Sequence, residues 1–369
     1  MNIEDSILKS EEKVIMRLRN IYRMHGYSCF KMSKFEEYDL YGQNKDFLVS
    51  DSVITFNDTN GKLMALKPDV TLSIVKNYNE NLEGVKRVYY NENVYRVSEK
   101  THSYKEIMQT GLECLGDITE YNLFEVIALA AASLGSISDN CVLNISNLDI
   151  ISILLDEIKN EQAREELLVC IGEKNFHGVC EICRKYQISA ETAIILSEMT
   201  QTYGTPADVV SKIEKLTDDA QILDALKQLE TVANQVNEIS DICVRVDLSL
   251  TNDMNYYNGL VFQGFVEGIP SSVICGGQYD RLMTKMGKSA KAIGFAVYLD
   301  LLERLKIQKP YDVDVLLIYK PNEDPKAVQQ RVTQLIKEGK SVSAQTITSD
   351  KLVYREIEYF NINKTGGKD

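Results

Sequence analysis

Two acceptor side chains, Gln109 and Glu113, stand four residues apart in an otherwise apolar, β-prone run. On a strand they share one face, with Gly111 between them. A carboxylate beside a carboxamide offers acceptor oxygens suited to an ammonium or an imidazole donor. A glycine between two polar side chains leaves room for a ligand. The same pattern also describes the solvent-facing side of an ordinary strand. Two further clusters could line a site: Tyr256-Tyr257 before Asn258-Gly259, and Gly276-Gly277-Gln278-Tyr279-Asp280 after a β-prone segment ending at Cys275. Asn-Gly is a strong hairpin signal, so a tight turn flanked by aromatic core residues fits as well. The glycine pair suits either a bulge or a backbone approached by a ligand.

Other chemistries find little support. Neither G-x-G-x-x-G nor G-x-x-x-x-G-K-[ST] occurs, so no phosphate-binding loop is expected. Only His25, His102 and His177 exist, and none falls in these clusters, which argues against a nucleophile–histidine arrangement. Cys180 and Cys183 form a C-x-x-C, but the segment reads as a helix on which residues three apart share an apolar face. A zinc site needs four ligands with matched spacing. These are expected to be core thiols; no metal and no cofactor is implied.

The elements that must position such residues need a chain of some size. At 369 residues the chain suits two or three modules. A hydrophobic content of 44% supports a real interior, and 26% charged residues is ordinary for a soluble protein. No apolar run approaches the roughly 18–20 residues of a membrane span. The polar, acidic stretch Met1 to Ser10 does not read as a signal peptide. Eight scattered cysteines in apolar contexts fit reduced thiols, so a cytoplasmic location is expected. A net charge of −13 without a Lys/Arg block tilts against nucleic-acid binding.

Periodicity supplies the elements. Val14, Ile15, Leu18, Ile21 and Tyr22 recur at helical spacing and Gly26 ends that helix. Strands are predicted at Val53 to Phe56, Leu63 to Leu66, Val85 to Tyr95 and Ile107 to Leu115. Pro68 makes Lys67-Pro68-Asp69-Val70-Thr71 a strand end that leads into a helix over Leu72 to Tyr78. A helix over Tyr121 to Leu134 precedes a strand over Cys141 to Ile145. From about 149 to 239 the pattern is helix after helix, an insertion read as scaffold or partner surface. Strand character returns with Ile242, Val244, Val246, Leu248 and Leu250 alternating with Cys243, Arg245, Asp247 and Ser249, which predicts one buried and one polar face. Gly259 to Val266, Ser272 to Cys275 and the strand-then-helix Ala290 to Leu305 follow. Val313 to Tyr319, Pro325 to Lys337 and Ser341 to Thr346 make one βαβ unit, and the tail after it is expected to be disordered. The fold class is therefore α+β, an antiparallel sheet flanked by helices.

The order of the pieces resembles the class II histidyl-tRNA synthetase fold. The resemblance rests on Phe35-Glu36-Glu37-Tyr38-Asp39-Leu40, Leu66-Lys67-Pro68-Asp69-Val70-Thr71, Val94-Tyr95-Arg96 with Gln109-Thr110-Gly111-Leu112-Glu113, Tyr256-Tyr257-Asn258-Gly259-Leu260-Val261-Phe262, Gly276-Gly277-Gln278-Tyr279-Asp280 and Ile293-Gly294-Phe295-Ala296. It spans about residues 10 to 306, making 1–306 a synthetase-like core and 311–369 a truncated unit like an anticodon-binding domain. It implies a pocket for free histidine, with Asp69, Thr71, Gln109 and Glu113 near the amino group. Tyr256, Tyr257 and Tyr279 are implied around the imidazole, and Arg96 as a phosphate contact.

Departures from the pattern carry as much weight. The arginine that opens the family's R-G-L-D-Y-Y motif is Asn252 here, and the arginine of its last motif is Leu301. Tyr298 replaces a small glycine beside the latter and would crowd a nucleotide, and an acid expected two residues after Arg96 is Ser98. Adenylate formation depends on cations that stabilise charge growing on phosphate and carboxylate, so losing two of them removes several kcal/mol. A histidine pocket without that chemistry resembles the paralogous regulatory subunits of ATP phosphoribosyltransferase. That resemblance implies no catalytic residues and a short-form catalytic subunit as partner. It also implies histidine as feedback effector and self-association through the class II core. A divergent histidyl-tRNA synthetase is the alternative.

Overall fold

The computed structural model describes residues 10–48, 53–80, 84–98, 101–251, 254, 256–305, 311–348 and 351–360. Asn252, residues 1–9 of the N-terminal stretch and residues 361–369 of the tail lie outside the described residues. Those described form two compact units, divided after Leu305.

In the first unit, helix α1 (Ser10–Met24) buries Ile15, Leu18 and Tyr22. It ends ahead of Gly26, whose φ of +80° is the left-handed conformation glycine supplies at a helix end. Strands β1 (Ser28–Cys29), β5 (Val85–Val97), β6 (Tyr104–Gly116), β7 (Cys141–Asn147), β8 (Tyr203–Gly204), β9 (Cys243–Asp247), β10 (Asn258–Val266), β11 (Ile274–Gln278) and β12 (Lys291–Tyr298) form one large sheet. Their order is β1-β5-β6-β12-β11-β10-β7-β9-β8. Pairing is antiparallel except for β1 with β5 and β7 with β9. A small antiparallel sheet, β2 (Phe35–Glu37), β4 (Leu63–Leu66) and β3 (Thr55–Asn57), lies in the same unit.

Alternation along β5 and β6 sends neighbouring residues to opposite faces. Tyr89, Leu112 and Cys114 enter the larger apolar cluster, with α1 and helix α4 (Glu120–Ile137). Val88, Tyr90 and Leu115 enter a second cluster with Val70 and Leu72, at the start of helix α3 (Thr71–Lys76), and Tyr279. Gln109, Gly111 and Glu113 belong to this second face.

The insertion is helical, as its periodicity predicts: α5 (Leu148–Asp156), α6 (Glu161–Gly172), α7 (Phe176–Lys185), α8 (Ala190–Gln201), α9 (Pro206–Glu214) and α10 (Ala220–Ile239). Thr205 caps α9, with Pro206 in its first turn. Cys183 is buried on α7, and Cys180 Sγ lies 3.6 Å from Ser197 Oγ on α8.

Three expectations need correction. Asp247 and Ser249, on the face expected to be polar, are buried as well, because Lys174 from the insertion pairs with Asp247 and Ser249 Oγ donates to the same carboxylate at 2.6 Å. Asn258-Gly259 is no hairpin turn: it starts β10, where the register shifts between Asn258 and Val261. Gly259 takes a φ of +58° there, and Gln278 Oε1 accepts from the Leu260 N–H at 2.8 Å. In the second unit, β13 (Val313–Ile318), helix α12 (Pro325–Lys337) and β14 (Val342–Gln345) are joined by β15 (Tyr354–Tyr359), which falls in the stretch expected to be disordered. The sheet is parallel, in the order β14-β13-β15, and Arg331 on α12 holds Glu358 of β15 in a two-point pair of 2.6 and 2.7 Å.

Candidate functional site

A cavity of about 400 Å³ opens on the Glu113 face of the sheet. Asp69, Thr71, Arg96, Gln109, Glu113, Tyr256, Tyr257 and Tyr279 all line it. They come from five separate stretches of chain, which the folds of β5, β6 and β10 to β12 bring together.

Glu113 is the floor. Its carboxylate accepts from Thr71 Oγ1 at 2.8 Å and from the Tyr279 hydroxyl at 2.8 Å. Burial pushes its pKa up to about 8, against the pull of those two donors, and the nearby Asp69 carboxylate adds to the rise. Asp69 Oδ1 accepts from the Leu72 N–H at 2.8 Å, which fixes it at the start of α3. Burial raises its pKa too, countered by that N–H and by the Arg96 guanidinium. Arg96 is itself tied down, its Nε donating to the Pro68 carbonyl at 3.0 Å. The cavity thus holds two buried carboxyls and one guanidinium, whose charge offsets part of the burial cost at Asp69.

Aromatic rings form the walls. Tyr256 packs edge-on against Tyr257 at 4.6 Å between ring centroids, and lies 6.1 Å from Tyr279. Burial raises the pKa of Tyr90, Tyr256 and Tyr279 well above the ordinary phenol value, so their hydroxyls remain protonated. The set suits a small zwitterion: carboxylates for a cationic nitrogen, a guanidinium for an anionic group, and hydroxyl-bearing rings for a planar side chain.

Sequence reasoning missed Tyr90, Leu168 and Thr251. Tyr90 stands opposite Gly111 across β5 and β6, and a Cβ on Gly111 would strike the Tyr90 hydroxyl and the Phe295 carbonyl. The space at Gly111 therefore belongs to a tyrosine and not to a ligand. Gly276 and Gly277 likewise make room for side chains: a Cβ would meet Phe262 and Phe295 at the first, Val261 and Tyr257 at the second. The bulge lies across from them, on β10. Tyr298 lines the cavity, whereas Leu301 packs against the larger apolar cluster. Ser98 is spent on the β5–β6 connection, its N–H donating to Ser103 and its carbonyl accepting from His102. Among the described residues no group of three His, Cys, Asp or Glu is placed to hold a metal ion, and no helix is long and apolar enough to cross a membrane.

Known proteins resemble this chain over most of its length. ATP phosphoribosyltransferase regulatory subunit from Acetivibrio thermocellus is 27% identical over 339 residues, covering 88% of this chain and 80% of that protein. The protein of the same name from Clostridium acetobutylicum is 29% identical over 338 residues, 88% and 82% of the two chains. Among solved structures, an ATP phosphoribosyltransferase regulatory subunit/histidyl-tRNA synthetase from Bacillus halodurans superposes with a TM-score of 0.75 at 23% identity, over 95% of this chain and 93% of that one. The ATP phosphoribosyl transferase (HisG:HisZ) complex from Thermotoga maritima gives 0.62 at 18% identity, over 77% and 96%. Both share this fold. The family model of histidyl-tRNA synthetase matches residues 3–302, so the chain belongs to the histidyl-tRNA synthetase family.

Proposed function

We propose that this chain is a regulatory subunit of ATP phosphoribosyltransferase that binds histidine in the Glu113 cavity and has no catalytic site of its own. The observation that carries the reading is one cavity lined by Asp69, Thr71, Gln109, Glu113 and three tyrosines, while Leu301, set against an activating arginine of the family, is spent on core packing. Removing such a cation takes away stabilisation that adenylate formation needs, yet leaves binding of the amino acid intact. Relatives named as regulatory subunits of ATP phosphoribosyltransferase support the same reading. So does the fold shared with the complex from Thermotoga maritima. The partner is then a short-form catalytic subunit, and histidine feedback is a coupling free energy between this cavity and the partner's active site. Residues after 310 are read as a curtailed anticodon-binding-type unit.

The test is reconstitution. The chain is mixed with a short phosphoribosyltransferase subunit, and activity is followed as histidine is added. Activity that depends on this chain and falls with histidine is expected; activity and histidine sensitivity indifferent to the chain would sink the proposal. Arg96, in the cavity wall, favours one other reading, a divergent synthetase that activates histidine with ATP. Histidine-dependent exchange of pyrophosphate into ATP would establish it.

A further inference from the structure

One wall of the cavity comes from the helical insertion. Leu168, on α6 of the helical insertion, lines it together with Thr251. The two are joined directly, Thr251 Oγ1 donating to the Leu168 carbonyl at 3.3 Å. Just beyond α6, Lys174 reaches the core strand β9, its Nζ 2.8 Å from Asp247 Oδ2. Asp247 is only 3% exposed, and its other oxygen takes the Ser249 N–H at 3.1 Å and the Ser249 hydroxyl. Lys174 takes the left-handed conformation, φ 55°, that ends α6, and its ammonium lies 5.2 Å from the Tyr203 ring centroid. The stretch from Asp247 to Thr251 is therefore fastened to the insertion at both ends. The same stretch leads on to Tyr256 and Tyr257, the aromatic wall.

We infer that the helical insertion is a working wall of the ligand cavity, in which Leu168 determines how bulky a ring the ligand carries and the Lys174–Asp247 pair positions that wall. This rests on the cavity being a histidine site. Leu168 adds apolar surface from the insertion to a cavity that Phe47, Leu48, Val70, Met254 and Phe295 also line, and a ring edge can meet it there. Apolar pockets discriminate a single methylene by about 10- to 200-fold, so trimming Leu168 should be read out as ligand preference and not only as affinity. Asp247 is buried and Lys174 half-exposed, so removing Lys174 takes away one tie between the insertion and the stretch that carries Thr251, and should loosen that stretch. The insertion is then the element that senses an occupied cavity, because it closes one side of it.

The experiment is calorimetry on the full chain with histidine and with histidines methylated on either ring nitrogen. Leu168→Ala should shift the preference towards a methylated ligand by about tenfold. Leu168→Val should shift it in the same direction by less, and carries the comparison should Leu168→Ala not fold. Lys174→Met should weaken all ligands several-fold without changing their ranking, and Lys174→Arg should restore them. Histidine should also slow amide exchange across residues 161–172. Histidine bound, with an unmoved ligand ranking in Leu168 variants and unmoved exchange in α6, would overturn the wall. No binding of histidine by the unsubstituted chain would instead overturn the histidine reading on which it rests.

Discussion

Gly294 on β12 stands directly opposite Glu113 on β6, and a Cβ on Gly294 would occupy the place of Glu113 Oε2. The glycine exists so that the carboxylate can lie flat over the neighbouring strand and meet both Thr71 and Tyr279. Its φ is not positive, so the requirement is steric only. Gly294→Ala should displace Glu113 and cost about 1–3 kcal/mol by overpacking. Thermal denaturation measures the loss, and calorimetry should find histidine binding weakened beyond what the stability change accounts for. An alanine variant that binds normally would mean the carboxylate is free to move.

Glu113 gives the pH dependence a sign. Its folded pKa, about 8, lies above the ordinary 4.5, so the folded state holds a proton the unfolded chain has released. That contribution to stability is fully present below about pH 4.5 and is lost as pH rises through about 8. Unfolding midpoints should decline over this window, and Glu113→Gln should flatten the decline. A cationic ligand prefers the ionised carboxyl, so histidine affinity should climb between pH 6.5 and 8, by at most about tenfold per pH unit. Titration calorimetry in buffers of different ionisation enthalpy should show proton release on binding. Release equal in the Glu113→Gln variant would place the proton elsewhere.

Much of this site is legible in the sequence because strand periodicity is local. Gln109 and Glu113 share a face simply by being four apart on β6, and the quoted motifs supply Asp69, Thr71 and the tyrosines in order. What is not legible depends on partners distant in sequence. Gly111 reads as ligand space until Tyr90 is seen opposite it. Asp247 and Ser249 read only as a polar face, distinct from the buried one, because alternation says nothing of Lys174, a neighbour supplied by the insertion. Asn258-Gly259 carries the composition of a hairpin turn, but Gln278 from the adjoining strand binds the backbone there and makes a bulge. Leu168 sits on a helix whose apolar positions look alike, and only the fold shows which one faces the cavity.

Tyr279 and Thr71 are the two donors on Glu113, so removing one should be graded rather than fatal. Tyr279→Phe deletes the donor to Oε2 without emptying the wall. A hydrogen bond to a charged group contributes about 1.5–3 kcal/mol, so histidine affinity should fall by at least about tenfold. The Glu113 carboxyl should also titrate higher than in the unsubstituted chain, since the lost bond favoured its ionised form. The rise of affinity with pH should therefore move to higher pH. Weaker binding with an unmoved pH profile would show that Tyr279 acts on the ligand alone.

Beside the cavity, Lys67 has no exposed surface, and its ammonium lies 2.8 Å from Glu92 Oε2. Lys67 opens the Lys67-Pro68-Asp69 segment that carries Asp69 into the site, and Glu92 pairs with Gln109 across β5 and β6. Removing one partner of a buried pair leaves a charge without compensation, at a cost of 3–5 kcal/mol when both are fully buried. Glu92 keeps some exposure, so Glu92→Gln should cost about 3 kcal/mol, at the lower end of that range. Replacing both, as Lys67→Met with Glu92→Leu, removes the stranded charge and should recover most of the stability. Histidine affinity should return with it, because the Tyr95 N–H on the Lys67 carbonyl and the Arg96 guanidinium on the Pro68 carbonyl still seat the segment. Denaturant midpoints and calorimetry on the three chains test both halves. Stability regained without binding would show that the ion pair itself, and not those bonds to the Lys67 and Pro68 carbonyls, aims Asp69.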